Sequence, residues 1–455
     1  MIYRSTVLGA ILAASLGCAS VEEARLAQDP DSARPGERSA TLAEMGLSKD
    51  TPLALDAGLA LSLTHNPALA RARNRAEAAA ARLDQAAAGR WPALSASLSY
   101  DESVSGLSSN AAPSLRGASG SREAGQSGQL GANLLLYDFG GLDATIRAAA
   151  EEARASRLDL QEAEVEAAFA FKSAYIAVLK GEELRRVADE TVRQFEKRLE
   201  QVRGFVEVGT RVKYDLTKAQ VDLGNARLAA VRARSAIRVD RAQLALTLGL
   251  SEEAGFPLAK PPSPGPDIPP FETLMAEARR SRPRLAAAAA REAGASASVD
   301  RAIADLYPSL SLHLSYGWTG SLSPAAWSAS IGGLINWLLT SGGAVQAEIR
   351  AAAANLRESR AARVQADHEV LLELRQAVTL FEDSRERLGI ADLTARQAEE
   401  NLTLVQGRFE NGRASSVELT DAQVSLATAR GDRIQADYDL HLALAALRRA
   451  AGASR

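Results

Sequence analysis

Two pairs of short stretches in the chain alternate between apolar and polar residues. In each pair, a stretch with leucine, alanine or tyrosine at every second position, residues 94–100 or 310–316, is followed by another at 128–138 or 326–338. A period of two predicts four β-strands, each with one apolar and one polar face. At about ten residues each, they have the length of a tilted membrane-spanning strand. Residues 101–127, rich in serine and glycine, predict a loop.

Much longer stretches carry apolar residues at spacings of three and four, with many alanines between them. This period predicts α-helices. Residues 141–204 contain no proline and, between their ends, only one glycine, Gly181. A helix of about 60 residues would reach about 95 Å and needs partners along its length, so we expect long antiparallel helices in a coiled-coil bundle or barrel. The predicted helices cover residues 54–88, 141–204, 210–249, 271–304, 343–408 and 415–450.

One phrase occurs twice in the chain, as VEVGTRVKYDLTKAQ at residues 206–220 and as FENGRASSVELTDAQ at residues 409–423. The matching positions keep a constant offset of 203 residues, the distance from Gly209 to Gly412. Upstream, Asn66-Pro67 parallels Arg282-Pro283 at an offset of 216 residues. Ordered glycine and proline matches indicate an internal duplication. The predicted parts are a first repeat at 51–250, a proline-rich linker at 251–270 and a second repeat at 271–450.

The N-terminus carries an export signal. Arg4 precedes an apolar stretch at residues 7–16, which has the length of a signal-peptide core. The stretch ends at Cys18, the only cysteine, so no internal disulfide can form. A Gly-Cys pair at this place resembles a bacterial lipoprotein signal, in which the cysteine is acylated; the alternative is an ordinary secretory signal with a chance cysteine. We therefore expect a signal peptide at 1–17 and an N-terminal linker at 18–50.

Aromatic residues make up only 5% of the chain, yet many of them lie in or beside the predicted strands. This placement resembles the aromatic girdles of an outer-membrane β-barrel. A soluble β-sandwich with an aromatic core is the alternative, but it would need bulky apolar side chains where this chain has leucine, alanine and serine. The aromatic residues concerned are Trp91, Trp318, Trp327, Trp337, Tyr100, Tyr137, Phe139, Tyr307 and Tyr316.

Four strands are too few to close a membrane barrel, since single-chain bacterial barrels begin at eight strands. Open strand edges in lipid would leave backbone groups unpaired, at a cost of several kcal/mol each. We therefore expect several copies to share one barrel. Two copies would supply eight strands and three would supply twelve, and the strand count alone does not choose between them.

Several strings, in their order, resemble the TolC-like outer-membrane efflux protein family. They are ALDAGLALSLTHNPAL at 54–69, LLLYDFGG at 134–141 and the two repeated phrases, and the resemblance runs from about residue 52 to residue 450. It implies a mainly α chain with membrane β: a homotrimer sharing a twelve-stranded β-barrel in the bacterial outer membrane, continued by an α-helical barrel in the periplasm. The lipid-anchored branch of the family is consistent with acylation of Cys18.

Each repeated phrase lies where a long helix ends and the next begins. Its glycine can take the left-handed conformation that stops a helix. In the second copy, Ser415 with Glu418 three residues later matches a capping box that starts the next helix. Such tips would form the periplasmic end of the barrel, where an adaptor protein and an inner-membrane pump would dock. The predicted docking residues are Gly209, Thr210, Arg211, Gly412 and Arg413.

Acidic residues lie near both tips and are candidates for a pore gate. They are Asp215 in the first copy and Glu418 and Asp421 in the second; the last two share a helix face. The resemblance places Glu418 and Asp421 at the paired acidic ring of the periplasmic constriction, and such a ring would attract cations. The alternative is that Glu418 only caps its helix and Asp421 is a solvated acid. Phe409 and Ala414 replace the tyrosine and arginine of the family's gate, so the closed-state bonds must differ.

Composition and motifs exclude several classes of function. A formal net charge of −3 provides no basic field for nucleic acid. The four histidines are scattered, and the chain contains no HExxH, G-x-S-x-G or P-loop motif, so we predict no enzyme activity, no cofactor and no metal site. The predicted function is the outer-membrane exit duct of a tripartite efflux system. The alternatives are the exit duct of type I protein secretion and a non-conducting periplasmic coiled-coil scaffold.

Overall fold

A computed structural model of the chain describes residues 24, 34–46, 51–105, 121–251, 254–262, 265, 268–320, 326–411 and 413–452. The predicted signal peptide with Cys18, most of the predicted linker at 18–50, and Gly412 of the second tip lie outside the described residues.

The described residues form long helices and four strands. In chain order, the elements are α1 (Leu55–His65), α2 (Pro67–Ala87), a 3-10 turn (Ala88–Arg90), β1 (Ala93–Ser105), β2 (Ser121–Tyr137), α3 (Gly141–Glu207), α4 (Lys213–Leu248), α5 (Phe271–Ser281), α6 (Pro283–Ala304), β3 (Ser309–Gly320), β4 (Ala326–Asn336), α7 (Ala344–Glu410) and α8 (Ser416–Ala451).

The second half of the chain repeats the elements of the first. The long helices α3 and α7 have 67 residues each, and the return helices α4 and α8 have 36 each. Both pairs keep the offset of 203 residues. Gly249 and Gly452, which end the return helices, are left-handed with φ of 73° and 84° and keep the same offset. The prediction of a mainly α-helical chain with four antiparallel strands is confirmed.

Two helices that the sequence predicted as continuous are broken. The predicted helix at 54–88 ends at His65 and restarts at Pro67, and the one at 271–304 breaks in the same way before Pro283. Proline has no backbone N–H and forces the preceding residue out of the helical region. Asn66 (φ −67°, ψ 122°) and Arg282 (φ −71°, ψ 112°) accordingly have extended backbones.

The four strands form one antiparallel sheet in the order β1-β2-β3-β4. The first hairpin is longer than predicted, because pairing continues past Tyr100–Gln126 to Ser105–Ser121. The predicted loop at 101–127 was therefore wrong at both ends. The added strand residues are mostly polar, so the sequence shows no apolar alternation there. Backbone hydrogen bonds between strands form without such alternation.

The apolar face of the sheet is exposed. Leu94 is 76% exposed, Leu98 80% and Ile331 73%. A soluble sandwich would bury such a face against a second sheet. On the polar face, side chains bond across strands, as between His313 Nδ1 and Asn133 Oδ1 at 2.9 Å.

The chain divides into two compact units. The first comprises Met1–Asn74, Asp159–Pro283 and Asp367–Arg455, and the second comprises Arg75–Leu158 and Arg284–Ala366. The second unit contains the sheet, and the first contains the helical tips and the largest apolar core.

Tyr175 fixes the linker to that core. Its hydroxyl oxygen lies 2.7 Å and 2.6 Å from the carbonyl oxygens of Leu53 and Ala259. Burial raises the pKa of Tyr175 to about 12. In the part of the chain that is described, no helix is long and apolar enough to span a bilayer.

Candidate functional site at the helical tips

The first tip is a tight helix stop. Helix α3 ends at Glu207, and Gly209 follows with φ of 79°, which confirms its predicted left-handed conformation. The amide of Thr210 donates to the carbonyl of Phe205 at 2.9 Å, and the amide of Gly209 donates to Val206 at 3.1 Å. This pair of bonds is the Schellman motif, which satisfies the last carbonyls of a helix.

The second tip repeats one hydrogen bond of this helix stop and has a stronger start. The amide of Arg413 donates to the carbonyl of Arg408 at 2.8 Å, the counterpart of the bond from Thr210 to Phe205. Ser415 then caps α8: its hydroxyl accepts from the amide of Glu418 at 3.1 Å, and the Glu418 carboxylate accepts from the Ser415 amide at 3.3 Å. The predicted capping box is confirmed.

The three candidate gate acids have three different surroundings. Asp215 is half-buried; it accepts from the Ser416 hydroxyl at 3.4 Å and lies 3.9 Å from Arg211. Glu418 is exposed, caps α8 and lies 3.6 Å from Arg408. Asp421 is exposed and has no hydrogen bond or ion pair with any described residue. Asp215 therefore joins the two tips of one chain, whereas Asp421 is free to face solvent or another copy.

A cation–aromatic contact, missed in the sequence, also joins the tips. The guanidinium carbon of Arg198, in α3, lies 4.3 Å from the ring centre of Phe409, at the end of α7. The guanidinium carbon of Arg211 lies 5.3 Å from the same ring centre. Nothing in the local pattern separates Arg198 from the other arginines of α3. Phe409 itself was the only signal in this region, because the resemblance leads one to expect a tyrosine at that position.

Arg198 is a buried cation, only 5% exposed. Burial lowers its pKa, and the neighbouring Arg211 lowers it further, whereas Asp215 and Asp222 act in the opposite direction. Its Nη2 atom has no hydrogen-bond partner among the described residues. The guanidinium therefore rests on the Phe409 ring and forms no ion pair with any carboxylate that the structure describes.

A groove of about 1240 Å³ runs between the two tips. Both helical hairpins line it, and the buried Arg198 lies in its wall. Its other lining residues include Lys197, Thr210, Arg211, Phe409 and Gln423.

Two helix faces in the first unit carry exposed apolar side chains. On α4 they recur seven or eleven residues apart, spacings that keep them on one face of a helix that packs side by side with another. We name the two sets the α4 stripe and the α7 stripe. The α4 stripe consists of Tyr214, Val221, Leu228, Val239 and Leu246, and the α7 stripe of Leu372, Leu380, Ile390, Leu393 and Leu404.

The sequence profile of the outer membrane efflux protein family matches residues 59–250 and 274–453. Among curated proteins, no sequence is a significant match.

Solved structures share the fold over most of the chain. The CmeC outer membrane channel of Campylobacter jejuni has a TM-score of 0.79 at 19% identity, covering 88% of this chain and 86% of that one. The open-state MtrE outer membrane channel of Neisseria gonorrhoeae gives 0.75 at 20% identity, covering 88% of both chains. The outer membrane protein VceC of Vibrio cholerae gives 0.73 at 20% identity, covering 88% and 96%. At these identities the likeness establishes the fold.

Proposed function

The chain belongs to the outer membrane efflux protein family, and from this premise we propose that it is the exit duct of a tripartite efflux system. As a family member it is an outer-membrane efflux protein and not an enzyme, as the sequence predicted. In the proposal it is a passive channel, which opens when a periplasmic adaptor and an inner-membrane pump dock on its tips. The observation that carries the proposal is a four-stranded sheet with an exposed apolar face and two free edges.

The free edges of β1 and β4 support a shared barrel. In lipid, each unpaired backbone group costs several kcal/mol, so an open sheet of four strands cannot persist there. Because the strands alternate in direction, β1 of one copy can pair antiparallel with β4 of the next. Three copies, the number that the TolC-like resemblance implies, would close a barrel of twelve strands.

The two stripes support the same head-to-tail arrangement. The α4 stripe and the α7 stripe are different surfaces, so a contact between them is heterologous and can close into a ring. The register of that contact can be inferred from the duplication, because α4 in the first repeat corresponds to α8 in the second, and α3 corresponds to α7. Within one chain, α3 and α8 are joined by Lys180–Asp439 at 3.6 Å and Glu166–Arg449 at 3.2 Å.

The residue numbers of these two ion pairs add to 619 and 615. The repeat converts an α8 residue into its α4 counterpart by subtracting 203, and an α3 residue into its α7 counterpart by adding 203. The sum of the two residue numbers therefore stays the same. The corresponding contact between copies would therefore join residues of α4 and α7 whose numbers add to about 617.

When the α4 and α7 residue numbers add to 618, complementary side chains of the two helices lie opposite each other. Exposed apolar residues would face exposed apolar residues, and Arg232 would face Glu386. Neither Arg232 nor Glu386 has an ion pair with any residue the structure describes. The apolar pairs are Tyr214 with Leu404, Leu228 with Ile390, and Leu246 with Leu372.

Asp215, Glu418 and Asp421 are proposed as gate acids, and their surroundings suggest separate roles. Asp215, bonded to Ser416, holds the two tips of a chain together in the closed state. Asp421 is exposed and has no partner among the described residues, so three copies would present a ring of carboxylates that attracts cations. Glu418 adds charge to this ring while capping α8.

The exposed tips are the proposed docking sites for the adaptor. Gly209, Thr210 and Arg413 are exposed, and Arg211 is half-exposed beside the groove. Gly412, which lies outside the described residues, is included because its neighbour Arg413 repeats the hydrogen bond of the first tip.

A lipid anchor at Cys18 is proposed from the sequence of the export signal. Mass spectrometry of the N-terminal peptide from membranes would show an acylated cysteine as the first residue. An unmodified Cys18 within a longer peptide would contradict the proposal.

Native mass spectrometry of the detergent-purified protein tests the assembly on which the duct depends. We expect three copies per particle. A water-soluble monomer, stable without detergent, would contradict the exit-duct function and favour the scaffold.

A further inference from the structure

The groove between the tips contains a buried cation. Arg198 is 5% exposed, forms no ion pair with any described residue, and leaves Nη2 without a hydrogen-bond partner. Buried charges in proteins are normally paired, because removing an ion from water is costly. An unpaired guanidinium in a groove wall therefore requires an explanation.

The nearest carboxylates do not supply the missing charge. Asp215 lies 3.9 Å from Arg211, and Asp222 lies 3.4 Å from Lys218. Among the residues that line the groove, the three cations Lys197, Arg198 and Arg211 face the two carboxylates Glu200 and Glu410. The local charge is one anion short of balance.

The contact with Phe409 compensates Arg198 only in part. A ring face attracts a cation placed 4.3 Å from its centre, but it provides no hydrogen-bond acceptor for the guanidinium N–H groups. Gln423, in the same groove, has a buried Oε1 atom that also has no partner among the described residues. The groove therefore holds an unused donor and an unused acceptor.

We propose that this groove receives a carboxylate side chain of the docking partner, and that Arg198 is the residue that binds it. A guanidinium can donate two parallel hydrogen bonds to a carboxylate, a geometry that lysine does not offer. The partner is thus a protein segment with an acidic side chain at the end that enters the groove. The inference rests on the proposed function, since it takes the tips as the docking sites.

Two synthetic helical peptides test the site on the detergent-purified oligomer. One carries a glutamate near one end, the other carries glutamine at that position, and both carry the same dye. Fluorescence anisotropy should show the wild-type protein binding the glutamate peptide about tenfold more tightly. Arg198→Gln should remove this preference, and Arg198→Lys should keep only part of it.

Lys197→Gln is the matched control, because Lys197 is an exposed cation of the same groove, one residue away. It should retain most of the preference for glutamate. Equal binding of both peptides to the wild-type protein would overturn the proposal, and so would an undiminished preference in Arg198→Gln. If Arg198→Gln does not assemble, a preference in Arg198→Lys as strong as in the wild type would overturn it.

Failure of this inference is distinguishable from failure of the exit-duct function. Conductance of the same wild-type preparation in planar bilayers reports on the duct and does not require a partner. A conducting oligomer without peptide preference overturns the carboxylate site alone. A non-conducting oligomer that still prefers the glutamate peptide overturns the duct and supports the site.

Discussion

Paired cysteines on α4 and α7 should join neighbouring copies only when their residue numbers add to about 618. The variant to make is Leu228→Cys with Ile390→Cys, which replaces one exposed residue of each stripe. Cys18 is the only native cysteine, so the wild-type chain controls for background oxidation. Oxidised membranes, run on a denaturing gel without reductant, should show a covalent trimer, because three disulfides close a ring of three.

The expected selectivity follows from helix geometry. A disulfide needs Cβ atoms about 3.5–4.5 Å apart. A helix rises about 1.5 Å per residue. Pairing Leu228→Cys with Leu404→Cys shifts the sum by 14 residues, which is about 21 Å along the helices. This shifted pair, on the same two stripes, should stay monomeric.

Single variants separate the head-to-tail contact from a two-fold one. In a heterologous ring, Leu228→Cys faces α7 of its neighbour and never another copy of itself, so it should not form dimers. Dimers from either single variant would show a two-fold contact. Equal cross-linking of the matched and shifted pairs would refute the register drawn from the duplication.

Three further predictions concern residues of the first unit. Gly249→Ala should lower the Tm more than Gly209→Ala. Both variants lose about 1–2 kcal/mol of stability because alanine is strained at a left-handed φ, but only at Gly249 would the new Cβ lie 2.3 Å from a backbone oxygen. Equal Tm values for the two variants would contradict this prediction. Glu418→Ala with Asp421→Ala should reduce cation selectivity, measured as reversal potential in a salt gradient, and unchanged selectivity would remove both from the gate. Burial lowers the pKa of His441 below its usual 6.5. As the pH falls below 6.5, the unfolded chain therefore takes up a proton on His441 before the folded chain does, and the stability of the fold decreases. His441→Gln should make the decrease of Tm with falling pH less steep, and an unchanged slope would contradict this prediction.

Local periodicity was enough to predict the elements of the fold. The three-and-four spacing that predicted α3 and the alternation that predicted β1 are properties of neighbouring residues. The failures occurred where one local signal opposed another. The alanine-rich helical pattern continues through Asn66-Pro67, which predicts an unbroken helix. The proline has no backbone N–H, however, and the helix breaks there.

The tips show which part of the site depends on distant contacts. The capping box of Ser415 and Glu418 was predictable, because both partners lie within four residues. The contact between Arg198 and Phe409 was not, because it depends on which faces of two hairpins meet. The role of Asp215 was not predictable either. Its position near the tip could be seen in the sequence, but its bond to Ser416 joins the two repeats.

Single-channel recording tests the central claim most directly, namely that neighbouring copies together form one conducting pore. The purified wild-type oligomer, reconstituted in a planar bilayer, should give discrete cation-preferring conductance steps. An oligomer that inserts into the bilayer and never conducts would contradict the account.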